Sequence, residues 1–220
     1  MFGLTAVEES SLLTSGWTVL DTSESLVTVA ARFGKPVPSR LDSALVDILT
    51  PTPSTAAPRR SLSAIYGTGA FPYHVDGAYF PDSPHFVLLR AEAAEGYRRP
   101  TLLIDTRTLF STAERSVLIH GVWRVAARRS FLTSVMSPEG SAAFKFRFDR
   151  DCMTPLTRSA ICADELIVRR VSDAIPTAVD WTPGKTIVID NWRILHGRGP
   201  GSAEPEHRIL SRVMVASREA

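Results

Sequence analysis

The stretch Phe71-Pro72-Tyr73-His74-Val75-Asp76-Gly77-Ala78-Tyr79 decides how the rest of this chain is read. Its aromatic and β-branched residues favour extended backbone, and on a strand side chains two apart leave from one face. His74 and Asp76 are therefore expected to point into a common space. An imidazole beside a carboxylate is half of a metal site. A third ligand is expected at His196, within Ile189-Asp190-Asn191-Trp192-Arg193-Ile194-Leu195-His196-Gly197-Arg198. Two imidazoles and one carboxylate on one side of an ion leave the opposite positions open, the arrangement of non-haem Fe(II) centres that activate dioxygen.

Working outward, the bulk properties limit the function classes. The chain has 220 residues, 44% hydrophobic and 22% charged, which fits one domain with a substantial core. A net charge of +2 is too small to imply a nucleic-acid partner. No apolar run approaches the length of a membrane span, and the first residues lack the basic-then-apolar order of a signal peptide, so the expectation is a cytoplasmic protein with no membrane partner. Cys152 and Cys162 have neither the spacing of a zinc site nor the context of a disulfide framework, and are expected to be reduced thiols. Oligomeric state is not readable.

Strands are expected at Trp17–Leu20, around Gly67 and Gly69 up to Tyr79, at Pro84–Arg90, Thr101–Asp105, Arg129–Met136, Ala143–Asp149, Lys185–Asp190 and Arg208–Val215. Helices are expected at Asp21–Arg32, after the capping-box sequence Ser111-Thr112-Ala113-Glu114, and over Ala163–Ala174. Proline-rich Pro51–Arg60 reads as a loop, and Glu92–Pro100 as a polar connection. No internal repeat is present. Many short strands with proline and glycine turns and a few helices predict a mainly β fold with flanking helices (α+β), a sandwich or jelly roll.

Four features occur in order: His74-x-Asp76, Thr101 opening a strand, His196 after a buried strand and turn, and Arg208 shortly beyond it. Together they resemble the taurine dioxygenase-like family of Fe(II)/2-oxoglutarate-dependent dioxygenases over about residues 60 to 215. The segment Asp190–Arg198 is also similar to the distal-histidine segment of γ-butyrobetaine hydroxylase. The resemblance implies a double-stranded β-helix, cupin-like, in a single domain over 1–220. It implies His74, Asp76 and His196 as Fe(II) ligands, 2-oxoglutarate as cosubstrate, and O2 as oxidant. Arg208 would then pair with the far carboxylate of 2-oxoglutarate through two parallel hydrogen bonds, with Thr101 adding a hydroxyl donor. Arg212, four residues on and on the same strand face, would bind the substrate's anionic group or lie by the metal-bound end of 2-oxoglutarate. The implied reaction is oxidation, by default hydroxylation, of an unactivated carbon in a small polar metabolite or specialised-metabolism intermediate, with release of succinate and carbon dioxide. Asp76 argues against a halogenase, in which this carboxylate gives way to a small residue.

Gly96-Tyr97-Arg98-Arg99-Pro100 stands where relatives usually carry a glycine pair before an acid, and the loops around the pocket are short, so no substrate transfers from a relative. The alternative reading is a non-oxidative, metal-dependent cupin-like isomerase or hydrolase, which would have no use for a dicarboxylate anchor at Arg208 and Thr101. His85, His120 and His207 carry no expected role. Arg198 is read as a binding group or as one that orients the His196 segment, Asn191 and Trp192 as turn residues, and Phe144, Phe146 and Phe148 as a core stripe. Tyr66, Tyr73 and Tyr79 are read as strand core or, for one of them, as pocket lining, and Arg147 as solvated or facing the cavity.

Overall fold

A computed structural model describes residues 3–40, 42–59, 61–96, 99–138, 140–141, 143–200 and 206–217. In chain order the elements are α1 (Ala6–Ser15), β1 (Trp17–Leu20), α2 (Leu26–Phe33), β2 (Lys35–Val37), β3 (Asp47–Leu49), α3 (Leu62–Tyr66), β4 (Phe71–His74), β5 (Phe86–Gly96) and β6 (Thr101–Asp105). Then follow α4 (Thr106–Leu109), α5 (Thr112–His120), β7 (Trp123–Val125), β8 (Phe131–Thr133), β9 (Met153–Pro155), α6 (Arg158–Asp173), β10 (Thr177–Val179), β11 (Thr186–Asp190), β12 (Ile194–Arg198) and β13 (Glu206–Ala216).

Among the described residues three antiparallel sheets form. The largest runs β1-β11-β5-β13-β2, with β3 also paired to β13; the second runs β10-β6-β12-β4; a small third runs β8-β7-β9. The first two meet face to face, because Leu89, Ile187, Ile189, Leu210 and Met214 of one share an apolar cluster with Leu103, Val179 and Ile194 of the other. Period-two alternation then assigns the opposite faces. Leu88, Val188, Val213 and Val215 pack outward on α1 and α2, whereas Ile104 and Leu195 pack outward on α5, α6 and the small sheet. The mixed architecture agrees with the mainly β expectation and its flanking helices.

Local chemistry explains the helices. The α2 buried face is Leu26, Val29, Ala30 and Phe33, a helical stripe behind the Ser25 cap. The expected capping box forms at α5, where Ser111 and Glu114 satisfy each other's backbone N–H. An identical device at Thr5 and Glu8 starts α1, a helix not expected from the mixed apolar pattern of the first residues. Arg193 joins this helix to the sheets. Its guanidinium grips both oxygens of Asp105, at 2.9 and 2.5 Å, and donates to the Leu13 and Thr14 carbonyls at the α1 C-terminus.

Several elements differ from expectation. Ser61 caps a short helix, α3, where strand was expected around the glycines, and strand begins only at Phe71. Polar Glu92 and Ala93 through Gly96 continue β5, because β13 offers a partner strand over that whole length. Tyr97 and Arg98 of that stretch, and Arg60 of the proline-rich loop, lie outside the described residues. The Arg129–Met136 strand shrinks to Phe131–Thr133, and Ala143–Asp149 contributes one bridge, Met136 to Phe146, although Phe144, Phe146 and Phe148 do enter the core. Both cysteines are free. Among the described residues no helix is long and apolar enough to cross a membrane.

Ile167 is fully buried in the α6 cluster, remote from the residues singled out above. Ile167→Ala is expected to lower the free energy of unfolding by about 2–5 kcal/mol, read from chemical denaturation, while any ligand binding measured in parallel stays unchanged.

Candidate metal centre

β4 and β12 are hydrogen-bonded neighbours, and their register sets His74 directly opposite His196. The rings lie 4.7 Å apart between centroids. His196 points inward because Ile194, two residues earlier on β12, faces the inter-sheet cluster while Leu195 faces out. Close approach of the two strands needs Gly197, where a Cβ would come within 2.9 Å of the Phe71 carbonyl oxygen.

Asp76 does not share a strand face with His74. The strand ends at His74, and Asp76 begins a turn that brings its carboxylate back beside both rings. Its Oδ1 is 3.9 Å from His74 Nε2 and its Oδ2 is 3.5 Å from His196 Nε2. One donor atom from each of the three residues lies within 4.8 Å of the others, and all three are buried. The sequence-based expectation of convergence is met, by a turn rather than by strand alternation.

Distant groups hold that turn. The Asn191 amide closes on Asp76 from both sides: its Oδ1 accepts from the Asp76 N–H, and its Nδ2 donates to the carbonyls of Asp76 and Pro84, each at 2.9 Å. Trp192 Nε1 donates to the Ser83 carbonyl, and Arg147 donates to the carbonyls of Ala78, Phe80 and Pro81. Arg147 is thus a fastener of the loop rather than a solvated or cavity-facing group. Gly77 follows the carboxylate with φ 66°, and a Cβ there would sit 2.6 Å from Pro84 Cδ.

The electrostatics suit a cation. His74 Nδ1 lies 2.9 Å from the Pro72 carbonyl oxygen, so Nδ1 carries the proton and Nε2 presents its lone pair inward. Burial, and then the neighbouring His196, push the His74 imidazole down from its ordinary value and keep it neutral. Burial by itself raises the Asp76 carboxyl; Arg212 and the two imidazoles overcome this and hold it well below the usual carboxylate range. Two inward imidazoles and an ionised, buried carboxylate are a donor set that fits Fe(II). Among the described residues His196 Nδ1 is buried without a hydrogen-bond partner.

The remaining expected residues also occupy the interior. Thr101 precedes inward Leu103 by two on β6, and its Oγ1 accepts from Trp181 Nε1 at 3.1 Å, leaving the hydroxyl proton available for donation. Arg208 and Arg212 alternate with outward Ile209, Ser211 and Val213 on β13 and so share the inner face with Leu210. Arg208 is buried and donates through Nη1 to the Arg99 carbonyl, two residues before Thr101. The Arg212 guanidinium spans two carboxylates, Asp76 Oδ1 at 2.6 Å and Asp47 Oδ2 at 2.9 Å. Arg198 stacks on Phe71 at 3.6 Å and donates to the Gly67 and Gly69 carbonyls, which settles it as an organiser of the 67–69 loop. Tyr66 bonds Asp151, Tyr79 bonds the Ser39 carbonyl, and Tyr73 packs in the core. Asp47 was not expected at all; an acid on a three-residue strand carries no local signal. A surface groove of about 410 Å3 beside Asp105, Leu109, Arg170 and Ile175 includes none of the centre's residues.

No family model and no curated protein matches the sequence. Solved structures do. Asparagine oxygenase in complex with Fe(II), 2S,3S-3-hydroxyasparagine and succinate superposes with a TM-score of 0.73 at 19% identity, over 96% of this chain and 78% of that one. The non-heme iron oxygenase OrfP in complex with Fe and alpha-ketoglutaric acid gives 0.68 at 22% identity, and the PvcB protein from Pseudomonas aeruginosa gives 0.68 at 17% identity. Coverage of this chain is 87% and 97% respectively, and coverage of those chains 63% and 81%. The chain therefore spans a little under two thirds of OrfP. At these identities the likeness is one of fold, and it agrees with a cupin-like arrangement of antiparallel sheets.

Asn191→Ala strips partners from three buried backbone groups of the Asp76 and Pro84 segment. It is expected to cost about 2–4 kcal/mol of stability in denaturant titration, with the largest rise in amide hydrogen exchange confined to residues 75 to 85.

Proposed function

We propose that this chain is an Fe(II)- and 2-oxoglutarate-dependent dioxygenase of the taurine dioxygenase-like family, a single oxygenase domain over 1–220 built as a double-stranded β-helix. The observation that carries the reading is the convergence of His74, Asp76 and His196, all buried, between two facing sheets. The fold shared with asparagine oxygenase and OrfP supports it, since those proteins are crystallised with iron and with succinate or alpha-ketoglutaric acid.

In this reading His74, Asp76 and His196 hold the ion. Iron in such a site couples oxidative decarboxylation of 2-oxoglutarate by dioxygen to hydroxylation of a second substrate. The chain's own contribution is positioning and exclusion of water. Arg208 lies buried at the inner face and offers a planar fork to the far carboxylate of the dicarboxylic acid, where a lysine would offer a point charge. Thr101, already fixed by Trp181, donates its hydroxyl to the same carboxylate. Leu103, Leu210 and Ile194 surround this space with apolar walls, which strengthens each polar contact inside it. The prime substrate is a small polar metabolite, with amino-acid derivatives favoured by the hydroxyasparagine and hydroxyarginine bound to the neighbours.

The dicarboxylate anchor separates this from a non-oxidative cupin-like isomerase or hydrolase. Under anaerobic conditions the wild-type protein with Fe(II) and 2-oxoglutarate is expected to show a weak visible charge-transfer band that His74→Ala lacks. Arg208→Ala is expected to raise the 2-oxoglutarate concentration needed for that band by about 30-fold or more, the loss of one partner from a buried charge pair. No band in the wild type, or an unaltered titration in Arg208→Ala, counts against the assignment.

A further inference from the structure

Asp47 and Arg212 are directly opposite each other where β3 pairs with β13. The guanidinium reaches in two directions from there. Nη1 lies 2.6 Å from Asp76 Oδ1, and Nη2 and Nε lie 2.9 and 3.2 Å from Asp47 Oδ2. The second oxygen of Asp47 accepts from the Ser39 hydroxyl at 2.7 Å, and the Ser39 carbonyl accepts from the Tyr79 hydroxyl at 2.7 Å. Tyr79 lies in the same turn as Asp76. A closed circuit therefore runs from Asp76 through Arg212, Asp47, Ser39 and Tyr79 back to the turn that carries the carboxylate.

Such a circuit has two consequences for an ion held by Asp76. A lone guanidinium beside the site would repel a divalent cation, and a second carboxylate on that guanidinium offsets the repulsion. Its planar fork, fixed by Asp47, also donates to Oδ1 of Asp76 and so sets the carboxylate plane, with Oδ1 beside His74 and Oδ2 beside His196. We propose that Asp47 is a positioning residue for the metal centre, acting through Arg212 to set both the charge beside the ion and the orientation of the Asp76 carboxylate. This rests on the reading of His74, Asp76 and His196 as metal ligands. It also gives the short β3 strand a function beyond extending the sheet edge.

Co(II), whose visible absorption reports its coordination, is the probe, titrated anaerobically into the full chain with no 2-oxoglutarate. The wild type is expected to bind one equivalent, and Asp47→Asn to bind about tenfold or more weakly with an altered visible spectrum. Asp47→Glu, which restores the charge, is expected to recover most of the affinity. Should Asp47→Asn fail to fold, Ser39→Ala removes the hydroxyl that steadies Asp47 and is expected to weaken Co(II) binding in the same direction, roughly threefold. Equal affinity and spectrum in the folded variant and the wild type, whatever happens to its melting temperature, would leave Asp47 a sheet-edge residue and overturn the inference alone. Wild-type protein that binds Co(II) no better than His74→Ala would overturn the metal reading itself, and this inference with it.

Discussion

The register between β4 and β12 is the constraint on which the rest of the site depends. Because side chains alternate along a strand, a slip of one residue would turn His196 toward α5 and α6 and bring Leu195 inward. The slip is opposed from several directions. Ile194 and Leu195 are each committed to a different apolar cluster, β6 fixes the other edge of β12 residue by residue, and Gly197 allows the backbone of β4 to approach. Packing of purely apolar side chains thus determines where two imidazoles stand.

The carboxylate is placed by a different kind of force. Asp76 lies beyond the strand, so no ladder holds it, and its turn is closed instead by side chains that come from the far end of the sequence. Asn191 satisfies its backbone on both sides, Trp192 and Arg147 collect the carbonyls that follow, and Arg212 keeps the carboxyl ionised in a buried place. Breaking any of these leaves a buried polar group without a partner, which is expensive in a low-dielectric interior.

Both sheets contribute polar groups to one interior. β4, the following turn and β12 bring together the histidines and the carboxylate, while β13 and β6 bring Arg208 and Thr101 to the same interior from opposite sides. Arg208 and Arg212 share one strand face, yet their surroundings separate them. Arg208 meets a backbone carbonyl beside the Thr101 strand, whereas Arg212 is held by two acids. Sequence spacing alone makes the two arginines look alike; their partners make them different.

The convergence of His74, Asp76 and His196 was legible in the sequence, and Thr101 and the arginines stood out beside it, because each sits in a pattern with chemical meaning: two donors a residue apart, a histidine after a buried apolar run, a cation on a terminal strand. So were the Phe144, Phe146 and Phe148 stripe and the Ser111 cap, whose signals are local. Asp47, the double hold of Asn191 on Asp76 and the role of Arg147 were not, since each depends on a partner 66 to 165 residues away. The same holds for the extension of β5 through Glu92, where a partner strand outweighed local polarity, and for α3, where a serine cap outweighed strand propensity. The sequence by itself determined which polar side chains stand out as candidates, because side-chain type and short-range periodicity are written along the chain. Only the tertiary structure decided which oxygen of Asp76 faces His196 and which two acids Arg212 spans, because hydrogen-bond partners across sheets are chosen by packing and register rather than by sequence neighbours.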